Sequence, residues 1–578
     1  MAHIAAIPAF GDPCETAISG NKEVQGTWFP ASQVRAFTFN DPAIIWLERF
    51  GMIHGFEPDS SEYDFFNFIV RKSAEFEMEW SRQAGGAVPR VCGESFEVRS
   101  PSTVRRTFDL MKASTAIISQ PGLWWAPERI YGVPDLVVHS RWLRAKFPSL
   151  ISEADSRIPA PHLGGGEGHY IVLDIKFTTR LDEKSKAQDL ANYSAQVRLY
   201  SFMLGQLQGF VPTHAFLVAR DRVNNPLPVA IGKVVGQPLD PDLASMRDSY
   251  ADIMTNGTGY LPWKNPQVIY NLSNDDEKWH SAKKRIARDC FAGGDPELIV
   301  QIGPGIKSQL ATLGFTSIAS LLGNDPATIP LESCKGLGPA KSKQVRAVLT
   351  ANRNAAAVIP DAGILPSKRT FEFFVDYEFL TNLNVDFAQQ WPTLEGHEMI
   401  FMVGVGWEEA GAWNFKSFSA NQETSAGEYE LFENVMKWFM DKTAGKLNDP
   451  DVVAMYHWST AEVSQSTRAA DRLGLAANHP VRQLPWCDLQ KVFLNGPCCL
   501  PGMYSFGLKE TAQALSQLNQ TYATEWPGDL DSGLRAMVMG WKAYEAGEPN
   551  TSKEMKLLEQ YLEADCKAVR NILSWLRI

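Results

Sequence analysis

The chain has 578 residues, 44% of them hydrophobic and 21% charged, a globular composition with material for roughly two to four domains. A net charge of −11 argues against non-specific coating of nucleic acid, and no run of about 18 apolar residues is present to form a membrane-spanning helix. The eight cysteines are scattered without a CxxC pair, which argues against a zinc ribbon or a disulfide framework. The start lacks the basic and apolar regions of a signal peptide, so a cytoplasmic or nucleoid-associated location is expected, with no membrane partner.

In chain order, residues 1–27 are expected to be a loose leader, because 1–25 are rich in Gly, Pro and Ala. Residues 28–265 have a mixed α/β pattern. A helix is expected over 55–82, with Tyr63, Phe65, Phe66, Phe68, Ile69 and Phe76 on its apolar face. Tyr170 to Phe177 is a β-branched and aromatic run after a Gly-rich turn, which predicts a buried strand. A helix over 185–207 follows, with Leu190, Tyr193, Val197 and Tyr200 on one side. Arg71-Lys72, Arg105-Arg106 and Lys283-Lys284-Arg285 are candidate parts of a basic groove.

Two of these elements carry acidic residues in a pattern that suits a metal ion. Asp174 and Lys176 are two apart on a strand and therefore share one face. Asp135 follows a Val-Pro turn and leads into a second apolar strand. Carboxylates of this kind hold Mg²⁺ or Mn²⁺, whose hard character prefers oxygen, and such an ion activates a bound water. Gly132-Val-Pro-Asp135, Asp174-Ile-Lys176 and Gln196-Val-Arg-Leu-Tyr200 together resemble the RecB-like branch of the PD-(D/E)xK nucleases. That resemblance implies a restriction-endonuclease-like α/β core, Asp135 and Asp174 as metal ligands, and Lys176, Gln196 and Tyr200 as catalytic residues. It also implies a further acid on an upstream helix, for which Glu77 is chosen and Glu75 is the alternative. Some members pin this domain with four cysteines around an iron–sulfur cluster; Phe39-Asn-Asp-Pro42 stands at the early position, so no cluster is expected.

Residues 266–358 change to short helical stretches between Gly-containing turns. Gly336-Leu-Gly338-Pro-Ala-Lys341-Ser-Lys343 resembles a helix-hairpin-helix element, with Ile302 to Leu322 as a degenerate first copy. Such a turn aims backbone N–H groups at a phosphate, which would make Gly336, Gly338, Lys341 and Lys343 a sequence-independent contact. A linker from Ala355 to Lys368 leads into a last domain over 366–578.

There, strands are expected at 370–376, 399–405, 413–418 and 452–456, with helices at 429–440 and 554–576, an α/β layer order. Asp376 and Glu378 share a strand face, and Tyr561 and Asp565 lie one turn apart on the final helix. Asp-x-Glu on a first strand and Tyr-x-x-x-Asp on a late helix resemble the DEDD, or DnaQ-like, exonucleases with an RNase H-like fold. The resemblance implies a two-metal site held by Asp376, Glu378, Asp565 and a middle acid, with Tyr561 placing the attacking water. Glu462, after the 452–456 strand, is the chosen middle acid, and Asp488 in Trp486-Cys-Asp-Leu489 is expected to stand behind the ligands. His457 reads as structural.

The expectation is an α/β multidomain Mg²⁺- or Mn²⁺-dependent nuclease that uses no nucleotide cofactor. It would act on DNA, with RNA left open. The alternatives are a nucleic-acid-binding scaffold with one degenerate nuclease domain, or the nuclease subunit of a helicase-containing complex. No P-loop is present, so a motor would be a separate chain.

Overall fold

The computed structural model describes residues 12–59, 64–85, 88–94, 96–178, 181, 187–232, 235–259, 261–264, 271–272, 277–360, 362–381, 398–528, 530, 532–547 and 549–578. The protein is α/β, and it divides into two compact units, one mainly Met1–Glu57 and Ile69–Asn274, the other mainly Asp275–Asn384 and Pro392–Ile578. None of the described helices is long and apolar enough to cross a membrane.

The strands described in the first unit are β1 (Phe29–Pro30), β2 (Ile117–Ser119), β3 (Leu123–Trp125), β4 (Ile130–Gly132), β5 (Leu136–His139), β6 (Tyr170–Lys176), β7 (His214–Ala219) and β8 (Leu227–Ala230). They form a small sheet in the order β1-β4-β3 and a larger one in the order β2-β5-β6-β7-β8. In the larger sheet β2, β5 and β6 are antiparallel neighbours, whereas β6 and β7 run parallel. A parallel pair needs a crossover, and the Ala187–Gln208 helix supplies it. Six of the seven β6 residues are buried, so both faces of this central strand are covered, as its unbroken apolar run requires.

Two expectations need correction here. Residues 12–27 are not a loose leader: Pro13–Ile18 is a helix whose Cys14, Ala17 and Ile18 are buried, and the Asp12 side chain caps it. Residues 1–11 lie outside the described residues. The helix expected over 55–82 runs from Phe65 to Gly85, because the Asp64 carboxylate accepts the Asn67 N–H at 3.1 Å and caps it there. Phe68 and Phe76 are buried as the apolar face predicts, but Phe66 is 53% exposed, and Tyr63 lies outside the described residues.

The second unit has β9 (Phe371–Leu380), β10 (Met399–Glu409), β11 (Ala412–Ser419), β12 (Val453–His457) and β13 (Trp486–Asp488). Their order is β11-β10-β9-β12-β13, antiparallel on the β10 side of β9 and parallel on the β12 side. The Lys553–Leu576 helix packs on this sheet. Ser552 caps its start through the Met555 N–H, and Arg577 ties its end to Glu372 by two bonds of 2.7 and 2.9 Å. Gly404, paired with Asp376 across β9 and β10, lets the helix come close: a Cβ there would lie 2.9 Å from that of Leu562. Gly404→Ala is expected to destabilise the unit by about 1–3 kcal/mol in urea unfolding, because a well-packed contact must open.

The described part of the helical segment 266–358 shares its core with this sheet. Ile302, Leu310, Leu337, Val345 and Val348 belong to one buried cluster with Phe374, Tyr456 and Ile572. The segment contains two hairpins of matching backbone. In the second, Gly336 has φ +101, Gly338 is the extended N-cap and Pro339 opens the Pro339–Asn354 helix. In the first, Gln301 has φ +69, Gly303 is the extended N-cap and Pro304 opens the Pro304–Thr312 helix. A left-handed glutamine costs what a glycine does not, which is why the first copy is hard to see in the sequence. Gln309 joins the two, accepting from Lys335 N at 2.7 Å and donating to its carbonyl at 3.2 Å.

Candidate active sites

The first set is built on the middle of the larger sheet in the first unit. Asp135 precedes β5, and its Oδ2 accepts the Ile175 N–H of β6 at 2.6 Å. Asp174 is 1% exposed. Lys176 Nζ lies 2.6 Å from Asp174 Oδ2 and donates to Gln196 Oε1 at 3.1 Å. Gln196 in turn donates to the Tyr200 hydroxyl at 3.0 Å, one turn along the crossover helix. Gly132 ends β4 against the Tyr200 ring. From the Phe65–Gly85 helix it is Glu77 that reaches this set. Glu75 is held by Arg71 at 3.3 Å and Lys72 at 3.5 Å.

Gln120 also belongs here, although its sequence context carries no signal for it. Its amide donates to Glu77 at 2.6 Å and to Asp135 at 3.4 Å, and its backbone sits at φ +48. A non-glycine residue held there marks a position that its surroundings determine, here the Asp135 carbonyl that accepts Gln120 N at 2.8 Å.

The electrostatics follow from crowding acids in a dry place. Burial raises the Asp135 carboxyl well above the usual range, and the Asp174 and Glu77 charges raise it further. Glu77 is raised by burial, against the Gln120 hydrogen bond. Burial pulls the Lys176 ammonium down, but the Asp174 and Asp135 charges more than reverse this. Asp174 Oδ2 is buried and, apart from its charge contact with Lys176, accepts no well-directed hydrogen bond. A hard cation suits such an oxygen-rich donor set.

The second set lies where β9 meets the Lys553–Leu576 helix. Asp376 and Glu378 project from one face of β9, and Asp565 and Tyr561 come from the helix. Glu462, in the first turn of the Ala461–Arg472 helix, is buried and lies close enough to Asp376 to perturb its carboxyl. Burial raises Asp376 well above the usual range, helped by the charges of Asp565, Glu462 and Glu378. Glu378 is raised by burial and by Asp565. Asp565 is raised by burial to about 6, with Lys509, Trp526 and Tyr561 opposing. Burial and the same carboxylates push the Tyr561 hydroxyl up, so it remains a neutral donor to Asp565.

Three residues of this set were not assigned a role from the sequence. Trp526 donates to Asp565 at 2.7 Å. Lys509 sits 4.5 Å from the Tyr561 ring centroid and 5.6 Å from that of Trp526. His457 reads as structural in the sequence, yet its Nδ1 lies 3.0 Å from Glu462 Oε2 while its buried Nε2 has no hydrogen-bond partner. Asp488 is beside this set, not in it: it accepts Ser459 N and Gln490 N, both at 3.0 Å, and so fixes the turn after β12.

Among the described residues no three His, Cys, Asp or Glu side chains already form a cage for a metal ion. Their carboxylates are held by lysine, amide, indole and imidazole groups instead.

On the hairpins, Gly336, Gly338, Lys341 and Lys343 are all exposed. In the first hairpin Lys307 is paired with Asp295 at 2.6 Å and Glu297 at 3.1 Å, so its charge is spent internally. Of the three basic runs, Arg71 and Lys72 pair with Glu75, Arg105 pairs with Glu15 and Asp12, and Lys283 is buried, whereas Lys284 and Arg285 are exposed.

No family model, no curated protein and no solved structure matches this chain.

Proposed function

We propose that this protein is a Mg²⁺- or Mn²⁺-dependent nuclease with two active sites, acting on DNA in preference to RNA. The observation that carries the reading is the convergence of acids far apart in sequence into two sets whose members raise one another's pKa. Mutually perturbed carboxylates of this kind cluster at functional sites. The strand order β2-β5-β6-β7, with a helical crossover between β6 and β7, supports a restriction-endonuclease-like core. The order β11-β10-β9-β12-β13 supports an RNase H-like second fold.

In the first site Glu77, Asp135 and Asp174 would hold the ion; in the second Asp376, Glu378, Glu462 and Asp565 would. When bound, such an ion lowers the pKa of a water and neutralises charge on the phosphate. Seating it requires the side chains to turn from their present partners towards one point. Lys176 then brings a charge to the phosphate, oriented by Gln196, which Tyr200 steadies. Tyr561, kept protonated, donates a hydrogen bond to orient the nucleophile, and Lys509 balances the acids around it.

The paired hairpins would grip the phosphate backbone, the second through Lys341 and Lys343. Lys341→Glu with Lys343→Glu is expected to reduce the slope of log binding constant against log salt by about 2, without changing the cleavage rate at saturating DNA. An unchanged slope, read by fluorescence anisotropy, would place the grip elsewhere.

One observation favours a second reading, a nucleic-acid-binding protein whose C-terminal site is idle: His457 already engages the middle acid, Glu462. End-labelled single- and double-stranded DNA and RNA, incubated with Mg²⁺, Mn²⁺ or EDTA, test the main proposal. Cation-dependent shortening of DNA supports it, and no cleavage under any of these conditions removes it.

A further inference from the structure

The first unit contains a cavity of about 210 Å³ outside both carboxylate sets. Two guanidinium groups line it, Arg49 and Arg99. Two phenols line it as well. Tyr250 is 8% exposed. Tyr131 lies close enough to Arg99 for the guanidinium to oppose the rise that burial causes in the phenol's pKa. Gln33 and Glu48 complete one wall, joined by a 3.2 Å bond from the Gln33 amide. The pocket is built by local structure: Val24 N donates to Arg99 O at 3.1 Å, and Tyr131 is the central residue of β4, paired with Pro30 and Trp124.

A phenol on the wall of such a cavity can offer its hydroxyl hydrogen to an acceptor on a ligand. Two guanidiniums beside two phenols match a dianionic phosphate, which takes forked N–H donors and O–H donors together. The volume sets the size of the ligand. It is below the roughly 300–1,000 Å³ of pockets that take drug-sized molecules, which leaves room for a phosphate and its sugar but not for a strand running through. Glu48 supplies an acceptor for a sugar hydroxyl at the same wall.

We propose that this cavity is a receptor for the terminal phosphate monoester of a nucleic-acid strand, separate from the site of cleavage. The ligand's identity rests on the nuclease reading; the cavity and its donors do not. A terminus seated there would set where the strand enters the first unit, and would give the protein a preference for phosphorylated ends.

The test is binding in EDTA, where cleavage plays no part. The probes are a single-stranded oligothymidylate bearing a 5′-phosphate, a 3′-phosphate or no phosphate, together with thymidine 5′-monophosphate. One phosphorylated strand is expected to bind about 10-fold more tightly than the unphosphorylated one. Arg49→Gln and Arg99→Gln are each expected to remove that advantage, and Tyr250→Phe to reduce it about 3-fold. Arg49 is exposed, so its variant tests the idea without endangering the fold. Asp174→Ala is expected to leave the advantage intact. Equal binding of all three strands overturns the proposal, as does an advantage that survives both arginine substitutions. An advantage lost in Asp174→Ala overturns it too, by tying the preference to the first carboxylate set and not to the cavity. Arginine-dependent binding of the mononucleotide with no preference among strands overturns the assignment to a strand end. None of these outcomes depends on whether the protein cuts.

Discussion

Asp174→Ala is expected to lower cation-dependent cleavage by the first unit by on the order of 10³-fold, in kcat/KM measured on end-labelled DNA. Asp174 is the most buried of the acids assigned to that site, and its Oδ2 lies 2.6 Å from the Lys176 ammonium. Removing it takes away a ligand and also leaves the Lys176 ammonium with its nearest compensating charge gone. Breaking one side of a buried pair costs about 3–5 kcal/mol. Part of that is offset, because Asp135 and Glu77 lose a repelling neighbour. A net loss of about 2 kcal/mol in urea unfolding is therefore expected, too little to unfold a unit of this size. Asp174→Asn, which keeps the shape, is expected to lose as much activity with less cost in stability. If Asp174→Asn retained most of the activity, the carboxylate would be structural and the site misassigned.

Asp376→Asn is expected to do two opposite things in the second unit. It should abolish the exonucleolytic activity proposed for that unit, again by on the order of 10³-fold, because one of the proposed metal ligands is gone. It should also stabilise the unit at neutral pH without added metal. Asp376, Glu378 and Asp565 all have folded-state pKa values above their ordinary ones, Asp565 at about 6. For an acid raised in this way the folded state binds more protons than the unfolded one between the two pKa values. Stability therefore falls as pH rises through that window, which for Asp565 extends from about 4 to about 6. Wild-type protein in EDTA should accordingly be more stable at pH 5 than at pH 7. Asp376→Asn removes one of the crowded charges, so the pH slope should flatten and the pH 7 stability rise by about 1–2 kcal/mol. A steeper slope, or a loss of stability at pH 7, would mean that these acids are not crowded.

Much of this arrangement was legible in the residues, for identifiable reasons. The period of two along β6 and β9 placed Asp174 with Lys176 and Asp376 with Glu378, because a strand leaves side chains only two faces. The period of the last helix placed Tyr561 with Asp565. The two helices misplaced or missed in the sequence failed at their ends: Asp12 and Asp64 are caps, and each side chain outweighs the surrounding composition. Glu77 is chosen over Glu75 on its place in the motif; what separates them physically is Gln120, 43 residues on, which bonds Glu77, and the Arg71 and Lys72 pairs that hold Glu75. Gln120, Trp526, Lys509 and His457 came from loops, from another helix and from a strand end, where no period links a residue to the site. The first hairpin was obscured by Gln301, which holds a backbone that glycine normally signals.

Hydrolysis of nucleic acid by two separate carboxylate sites with a divalent cation is the proposal on which the other predictions depend. It is tested most directly by following both ends of labelled DNA with wild type, Asp174→Ala, Asp376→Ala and the double variant, in Mg²⁺, Mn²⁺ and EDTA. Each single variant is expected to lose a different subset of products, the double variant to be inactive and EDTA to stop all cleavage. Products that persist in the double variant, or that form in EDTA, would contradict it.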